Sequence, residues 1–382
     1  MESKKVLILG GSHRDIPLIK AAQALGYFVI TLGSKRYYKG HHYANKYFLI
    51  NFNDIEEVRK IIKKEKINYL IPGSGEESYL NTVLLAKEFN IGNFDKIEVA
   101  RLIHNKWRFK DFCLQHGIST PKGIYYQDNQ DLSVLTFPVV VKPTNLSGGR
   151  GVDIVYNENE FQKSLKKTTE ITNEIFFEEY IHGQLIAYSI FLQDQKIMYA
   201  FSGIDETYLN PYLITTAYPL TLDSKVEEIL SKDIEKIAKI LSLVDGMFHL
   251  QVIIKDDIPY IIDVTRRIPG DFYPYLIEKA DGVDYSKAVV KAYIGDRVQN
   301  EFFVKYKRFI VRYVAMPSTN GIYRGLTIDD NIKNNILMRF DLLSIGSRID
   351  NYLGTQVAIF LIENIDDIGL INRAITVIVE EN

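Results

Sequence analysis

One cysteine, Cys113, stands in 382 residues. A single thiol excludes an internal disulfide and a cysteine metal cluster. It falls in Phe109-Lys110-Asp111-Phe112-Cys113-Leu114, an amphipathic helical segment where a lone cysteine is expected in the core. Without a disulfide framework, a reducing, cytoplasmic setting is the expectation. An excess of one charge is also missing. Lys and Arg number 46 against 48 Asp and Glu, for a net charge of −2. That balance argues against a nucleic-acid partner, which would demand a basic face. No apolar run approaches the roughly 20 residues that cross a bilayer, so no membrane partner is expected. The start, Met1-Glu2-Ser3-Lys4-Lys5, leads straight into a strand pattern, so no signal peptide is expected. Low-complexity linkers and repeats are absent. So are G-x-x-x-x-G-K-[ST] and G-x-G-x-x-G. No Ser-His-Asp or Cys-His arrangement stands out. The adjacent His41-His42 lacks metal-ligand spacing and reads as a surface loop.

What remains is an ordinary globular composition, 46% hydrophobic and 25% charged, long enough for two to three domains. Over residues 4–9 a buried parallel strand ends in Gly10-Gly11-Ser12. A helix over 16–25 and strands over 27–32 and 47–51 follow. Asn53 is expected to cap the next helix, with Glu56 completing a capping box and Ile55, Val58, Ile61 and Ile62 turned inward. A strand over 68–72 and a helix over 76–89 complete a doubly wound α/β unit. Gly10-Gly11-Ser12 sits at a strand's carboxyl end, where such folds bind ligands, but its spacing is a weak dinucleotide signal.

A helix over 105–116 leads to a β-rich stretch. Strands are expected over 176–181, 186–193 and 196–201, with a hairpin of 247–255 and 258–264. Two helices interrupt them, over 158–167 and 223–243. The second places Val226, Ile229, Leu230, Ile237, Ile240 and Leu241 at core spacing. The tail is again α/β, with strands near 309–315, 356–363 and 375–380.

The richest segment is Val141-Lys142-Pro143 followed by Ser147-Gly148-Gly149-Arg150-Gly151-Val152. Strands over 137–141 and 152–156 are joined by a small-residue loop with a lysine at its mouth. Glycines let backbone N–H groups approach anionic oxygens, and the lysine neutralises charge, which suits a polyphosphate. An ordinary hairpin turn is the plainer reading. On the later hairpin, Asp263 and Thr265 share a face and Gln251 can meet them from the neighbouring strand. That oxygen cluster beside Arg266-Arg267 suits Mg²⁺ with phosphate oxygens.

Taken in order with Asn105-Lys106-Trp107 and Phe177-Glu178-Glu179-Tyr180-Ile181-His182-Gly183, these segments resemble the ATP-grasp superfamily. The likeness is to its carboxylate–amine ligase and biotin-carboxylase-like group and covers nearly the whole chain. It implies a pre-ATP-grasp α/β domain over 1–95, an ATP-grasp α+β fold over 96–300 and a C-terminal lid-like α/β piece over 301–382.

The resemblance also assigns roles. Lys106 and Lys142 would contact ATP phosphates. Ser147, Gly148, Gly149 and Gly151 would lie in the loop closing over them. Glu178, Glu179, Tyr180 and Ile181 would form the hinge that reads the adenine edge. Gln251, Asp263 and Thr265 fall where the family usually has Glu, Glu and Asn, and would hold Mg²⁺. The common ribose-binding Glu is absent, and Gln184 would substitute as an amide. Arg267 would grip the transferred group. Lys106 as a solvated lysine, and Asp263 or Arg267 as a structural ion pair, are the competing readings. The implied activity is an ATP-dependent ligase making an acyl phosphate from a small carboxylate and passing it to an amine, with release of ADP. A homodimer is left open. The rival is a nucleotide-binding homologue with weak or no catalysis, acting as a regulatory or scaffold protein, which Gln251 motivates. Aromatics in 208–218 and 272–275 would shape the acceptor pocket or simply pack.

Overall fold

The computed structural model describes residues 3–126, 136–144 and 151–381. The chain opens with a parallel sheet in the order β3-β2-β1-β4. Its strands are β1 (Lys5–Leu9), β2 (Phe28–Leu32), β3 (Lys46–Phe48) and β4 (Tyr69–Pro72). Helices α1 (Ile16–Ala24), α2 (Ile55–Glu65) and α3 (Glu76–Phe89) connect and cover it. Val6, Leu7, Ile8 and Leu9 are fully buried, as a continuous apolar strand with both faces covered must be.

Two local expectations shift here. The cap of α2 is Asp54, whose side chain accepts from the Glu57 N–H at 3.2 Å. Asn53 instead donates to Glu77 at 2.6 Å and accepts from Asn81 at 2.9 Å, tying the turn to α3. A charged cap is better matched than an amide to the positive end of a helix. His41 is buried, against the surface-loop expectation, while His42 is exposed. The His41 ring shares a 2.8 Å hydrogen bond with Thr31. It fits only because residue 11 is glycine, where a Cβ would come within 2.1 Å of the ring.

Helices α4 (Ile97–Ile103) and α5 (Lys106–Gln115) lead into a second sheet, order β5-β8-β6-β7. It comprises β5 (Gly123–Tyr125), β6 (Val139–Pro143), β7 (Asp153–Val155) and β8 (Ile175–Glu179). Phe161 of α6 (Glu158–Thr169) packs with Val139, Val141 and Phe177 beneath it. β6 and β7 pair antiparallel, Val141 opposite Asp153, so the lysine-bearing strand and its return strand form the expected hairpin.

The largest sheet has eight strands in the order β13-β12-β9-β10-β11-β14-β18-β16. Its first members are β9 (Gln184–Gln193), β10 (Lys196–Thr207), β11 (Ile214–Pro219), β12 (Gly246–Lys255) and β13 (Ile258–Thr265). The tail adds β14 (Ile310–Ala315), β15 (Gly321–Ile328), β16 (Ile336–Asp341), β17 (Arg348–Ile349), β18 (Ala358–Glu363) and β19 (Ile375–Glu380). β15, β17 and β19 make a small separate sheet. β14 pairs with β11 and β18, so strands from both sides of residue 300 share one sheet.

One face of that sheet packs on α7 (Ser224–Leu241), through Val226, Leu230, Ile234 and Ile237. Ile240, expected in that stripe, is 43% exposed. After Ile237 the stripe continues through Leu241, and the left-handed Ser242 (φ 50°) turns the chain so that Leu243 closes the core. The other face is covered by α8 (Tyr273–Asp281) and α9 (Tyr285–Ile294). Cys113 is buried as expected. Among the described residues no helix is long and apolar enough to cross a membrane.

Candidate active site

Side chains directly opposite in an antiparallel pair lie on the same face. Register therefore determines what this sheet presents. Thr265 lies opposite His249, and Asp263 opposite Gln251. His249 lies opposite Ser189, which lies opposite Phe201; Gln251 lies opposite Ala187, which lies opposite Gly203. Two residues on along β10, Asp205 lies opposite Ala217, which lies opposite Arg312 of β14. Lower on this face, Phe201, Phe191, Met247 and Ile310 meet the α8–α9 layer as core. Higher up, the same face opens into a cavity of about 430 Å³.

That cavity gathers Lys106, Lys142, Gln251, Asp263, Thr265 and Arg267. They come from the start of α5, from β6, from the hairpin and from the loop after it. Lys106 Nζ lies 2.6 Å from Asp263 Oδ2. Burial opposes the charge on Asp263, but Lys106 and Lys142 outweigh it and hold the carboxyl below its usual range. Gln251, Thr265 and Asp263 supply oxygen donors from one face, as the alternation requires.

The two consecutive arginines divide their work. Arg266 is buried, with Nε 2.9 Å from Asp95 and its other nitrogens donating to the carbonyls of Met247 and Val244, each at 2.7 Å. It forms a buried ion pair that holds the loop after the hairpin. Arg267 lines the cavity, and its Nε meets no protein partner.

Glu178 does not line the cavity. From the resemblance its carboxylate belongs at the adenine edge. Here it is 2% exposed, 2.7 Å from Lys110 and paired also with Lys142. Burial works against its charge, and the two lysines still keep its pKa below the ordinary range. Lys110 is itself buried and donates to Thr120 Oγ1 and the Pro121 carbonyl, each at 3.0 Å. Glu178 thus fixes Lys142 from below. The rest of the hinge runs on from it. The Glu179 N–H bonds the Lys122 carbonyl at 2.9 Å and the Tyr180 N–H bonds the Pro138 carbonyl at 3.2 Å. Ile181 is buried and Gln184 exposed, outside the cavity lining. Gly151 takes a left-handed φ of 73° as β7 begins. Ser147, Gly148 and Gly149 lie outside the described residues.

Several lining residues have no counterpart in the sequence reading: Arg14, Glu76, His104, Asp205, Asp271 and Arg312. Glu76 begins α3 directly after β4 and Gly73-Ser74-Gly75. That is a strand's carboxyl end leading into a helix start, a position that could have been flagged. Burial raises its pKa, against the pull of Lys106 and Arg267. Burial, then Arg267, pushes His104 and His249 each down to about 3, so both rings are neutral near pH 7. The His249 Nδ1 is 2.6 Å from Ser189 Oγ. Asp271, in left-handed backbone (φ 54°), pairs with Arg14 at 3.1 Å and accepts from Gln356 at 3.0 Å. One end of the cavity therefore carries lysines, Arg267 and an oxygen cluster. The other carries acids interleaved with Arg14 and Arg312.

Residues 122–294 match the family model described as the C-terminus of D-Ala–D-Ala ligase. A D-alanine–D-alanine ligase A of Bacillus cereus is 30% identical over 190 residues, 47% of this chain and 62% of that one. A carbamoyl phosphate synthase large chain of Clostridium acetobutylicum is 24% identical over 264 residues, 64% of this chain and 24% of that one. The chain thus spans 24% and 62% of the length of these two curated relatives. A solved L-amino acid ligase from Bacillus licheniformis superposes with a TM-score of 0.85 at 18% identity, covering 100% of both chains. At that identity the likeness speaks for the fold. The fold agreement extends over the parallel sheet, the lysine-bearing hairpin and the eight-stranded sheet, and the sequence match falls on the stretch that carries Lys142, Gln251, Asp263 and Arg267. Over residues 122–294 the chain is thus similar to the D-Ala–D-Ala ligase C-terminal family, and over its whole length it has the ATP-grasp fold of carboxylate–amine ligases.

Proposed function

We propose that this chain is an ATP-dependent ligase that joins a small carboxylate to an amine through an acyl phosphate, releasing ADP and phosphate. The observation that carries it is the meeting of Lys106, Lys142, Asp263, Gln251, Thr265 and Arg267 in one cavity. Phosphoryl transfer needs charge neutralisation and alignment more than acid–base groups. This end of the cavity supplies both.

Lys142, held by Glu178, and Lys106 take the phosphates, and the resemblance adds Ser147, Gly148, Gly149 and Gly151 to them. The hinge at 179–181, with Gln184 beyond it, takes the adenosine end. Asp263, Gln251 and Thr265 form the candidate Mg²⁺ set. All are hard oxygen donors on one face, with one carboxylate, and Mg²⁺ keeps waters and phosphates for its remaining positions. No group of three or more His, Cys, Asp or Glu among the described residues offers a fuller cage. The ion would neutralise charge on the phosphates. Arg267, a planar fork with Nε unengaged, orients the carboxylate for attack on the γ-phosphorus. That bond forms as the β–γ bridging oxygen leaves with ADP. The amine then attacks the acyl carbon, and phosphate departs. In this reading 1–95, 96–300 and 301–382 are three cooperating regions of one cytoplasmic enzyme.

Chromatography of the nucleotide products tests the reaction. ADP is expected; AMP as the product overturns the mechanism. Arg267→Ala should depress turnover far more than ATP affinity, since its contact strengthens in the transition state. Equal losses in both would remove Arg267 from the chemistry.

A further inference from the structure

Arg267 faces the cavity without collapsing onto the acids that share it. Burial disfavours its charge, and Glu76 and Asp263 are the carboxylates near enough to favour it. Yet its Nε meets no partner, and among the described residues it forms no ion pair. An arginine on a free loop would swing onto one of those acids, because charge-assisted bonds are the strong ones. Instead its Nη1 donates to the Ile268 carbonyl and its N–H to Thr265 Oγ1, each at 3.3 Å.

The restraint lies behind the cavity, around Arg266. The Tyr293 hydroxyl donates to the Arg266 carbonyl at 2.8 Å, which fixes the peptide plane leading into Arg267. The Arg266 guanidinium points away from the cavity and is 3% exposed. Its Nε donates to Asp95 Oδ2 at 2.9 Å, Nη1 to the Met247 carbonyl and Nη2 to the Val244 carbonyl, both at 2.7 Å. Asp95 is 4% exposed and joins three elements. Its Oδ1 also accepts the Val244 N–H at 2.9 Å, and its Oδ2 the Tyr79 hydroxyl at 3.3 Å. Tyr79 lies one turn along α3 from Glu76. The same cluster therefore ties the helix bearing Glu76 to the loop bearing Arg267. A buried ion pair of this kind adds little stability over well-packed apolar residues. What it adds is direction, since each buried donor and acceptor has one satisfactory partner.

We propose that Asp95 is a positioning residue: acting through Arg266, it holds Arg267 off the cavity's own acids and open to a ligand oxyanion. Tyr293 makes the second hold. Asp95 stands between α3 and α4, at the end of the N-terminal region 1–95, so that region takes part in setting the arginine. This rests on the ligase reading only for the identity of the oxyanion.

Inorganic phosphate titrated onto the MgADP complex by calorimetry probes Arg267 without turnover. Arg267→Ala is expected to weaken phosphate about tenfold and leave MgADP affinity unchanged. Asp95→Asn should weaken phosphate by a similar factor, and Tyr293→Phe about threefold. The double variant Asp95→Asn/Arg267→Ala should lose no more than Arg267→Ala alone, because a residue that acts through another adds nothing once the other is gone. A purely structural loss would instead weaken MgADP and phosphate alike and multiply with the loss at Arg267. Unchanged phosphate affinity in Asp95→Asn, losses that multiply in the double variant, or a parent that takes up no phosphate each overturn the proposal. Should Asp95→Asn fail to fold, Tyr293→Phe with Arg267→Ala gives the same cycle. ADP release from MgATP is then followed with acetate, succinate, glycine or bicarbonate, each with ammonia or methylamine. With any pair that reacts, Asp95→Asn should lower kcat about tenfold and leave the KM for ATP unchanged; an equal kcat overturns the proposal. A phosphate cycle that behaves as expected while no pair releases ADP upholds Asp95 and counts against the ligase reading alone.

Discussion

At the scale of single residues, burial separates groups that hold the protein together from groups that face the cavity. Lys110 and Lys142 share one carboxylate, but Lys110 is 3% exposed and Lys142 borders the cavity. Lys110→Met should therefore cost stability, about 3 kcal/mol, because it strips a buried carboxylate of a partner; the urea midpoint reads this. Lys142→Ala leaves Glu178 with Lys110. It should weaken ATP binding by about 2 kcal/mol, the scale of a charge-assisted contact, and titration calorimetry with unchanged affinity would remove Lys142 from the nucleotide site. Asp205 gives a pH signature of its own. Burial raises its pKa from 3.8 to about 7, with Arg312 pulling the other way, and the Tyr273 hydroxyl is also near. Between those values the native state keeps a proton that the unfolded chain has released. Stability from this group therefore falls as pH rises from about 4 to about 7 and stays lost above. Asp205→Asn should flatten that fall, which denaturant midpoints at pH 5 and pH 8 measure; an identical fall in both proteins would show that Asp205 does not titrate there. Residue patterns made the Lys106, Lys142, Asp263 and Arg267 cluster legible because each sits in an ordered local motif. Glu178's part was hidden, since nothing in Glu178-Glu179 says which carboxylate faces inward onto a distant Lys110.

Among the elements, those with a regular apolar period were the legible ones. β1, α3, β9 and the β12–β13 hairpin all fall where the pattern puts them, to within a residue or two at most bounds. β10 was read only to residue 201 but runs to Thr207. The reason is physical: beyond Phe201 the inward positions are Gly203 and Asp205, which make room and polarity for the cavity instead of filling a core. A strand that serves a site loses the alternation by which strands are recognised. The α2 cap was misplaced by one because Asn53 and Asp54 are both good caps, and only the contacts of Asn53 with Glu77 and Asn81 separate them. Asp54→Ala should accordingly cost about 1 kcal/mol by thermal or urea melt, and an unchanged midpoint would return the cap to Asn53. The hairpin carries its own prediction. Asp263→Asn keeps the register, so it should fold and melt near the parent, yet lose most ADP release. A misfolded variant by circular dichroism would mean the Lys106 ion pair is structural.

Across the whole molecule, the last eighty residues complete the central sheet. β14 covers the edge of β11 with hydrogen bonds and brings Arg312 to the cavity. A chain ending at 300 should therefore expose β11 as an unpaired edge and aggregate, read as loss of soluble protein and of a cooperative melt; a soluble, two-state fragment would show that the tail folds as an independent addition. The continuous sheet also acts as a ruler. The oxygen cluster on β12–β13 and the acid–arginine pair on β10 and β14 are separated by a whole number of strands, each about 4.8 Å wide. Hydrogen-bonded strands cannot stretch, so the reach between the two ends comes in fixed graduations. A homologue that accepts a longer substrate must move its reading residues to another strand or swap short side chains for long ones. Loop motion alone cannot reset that scale.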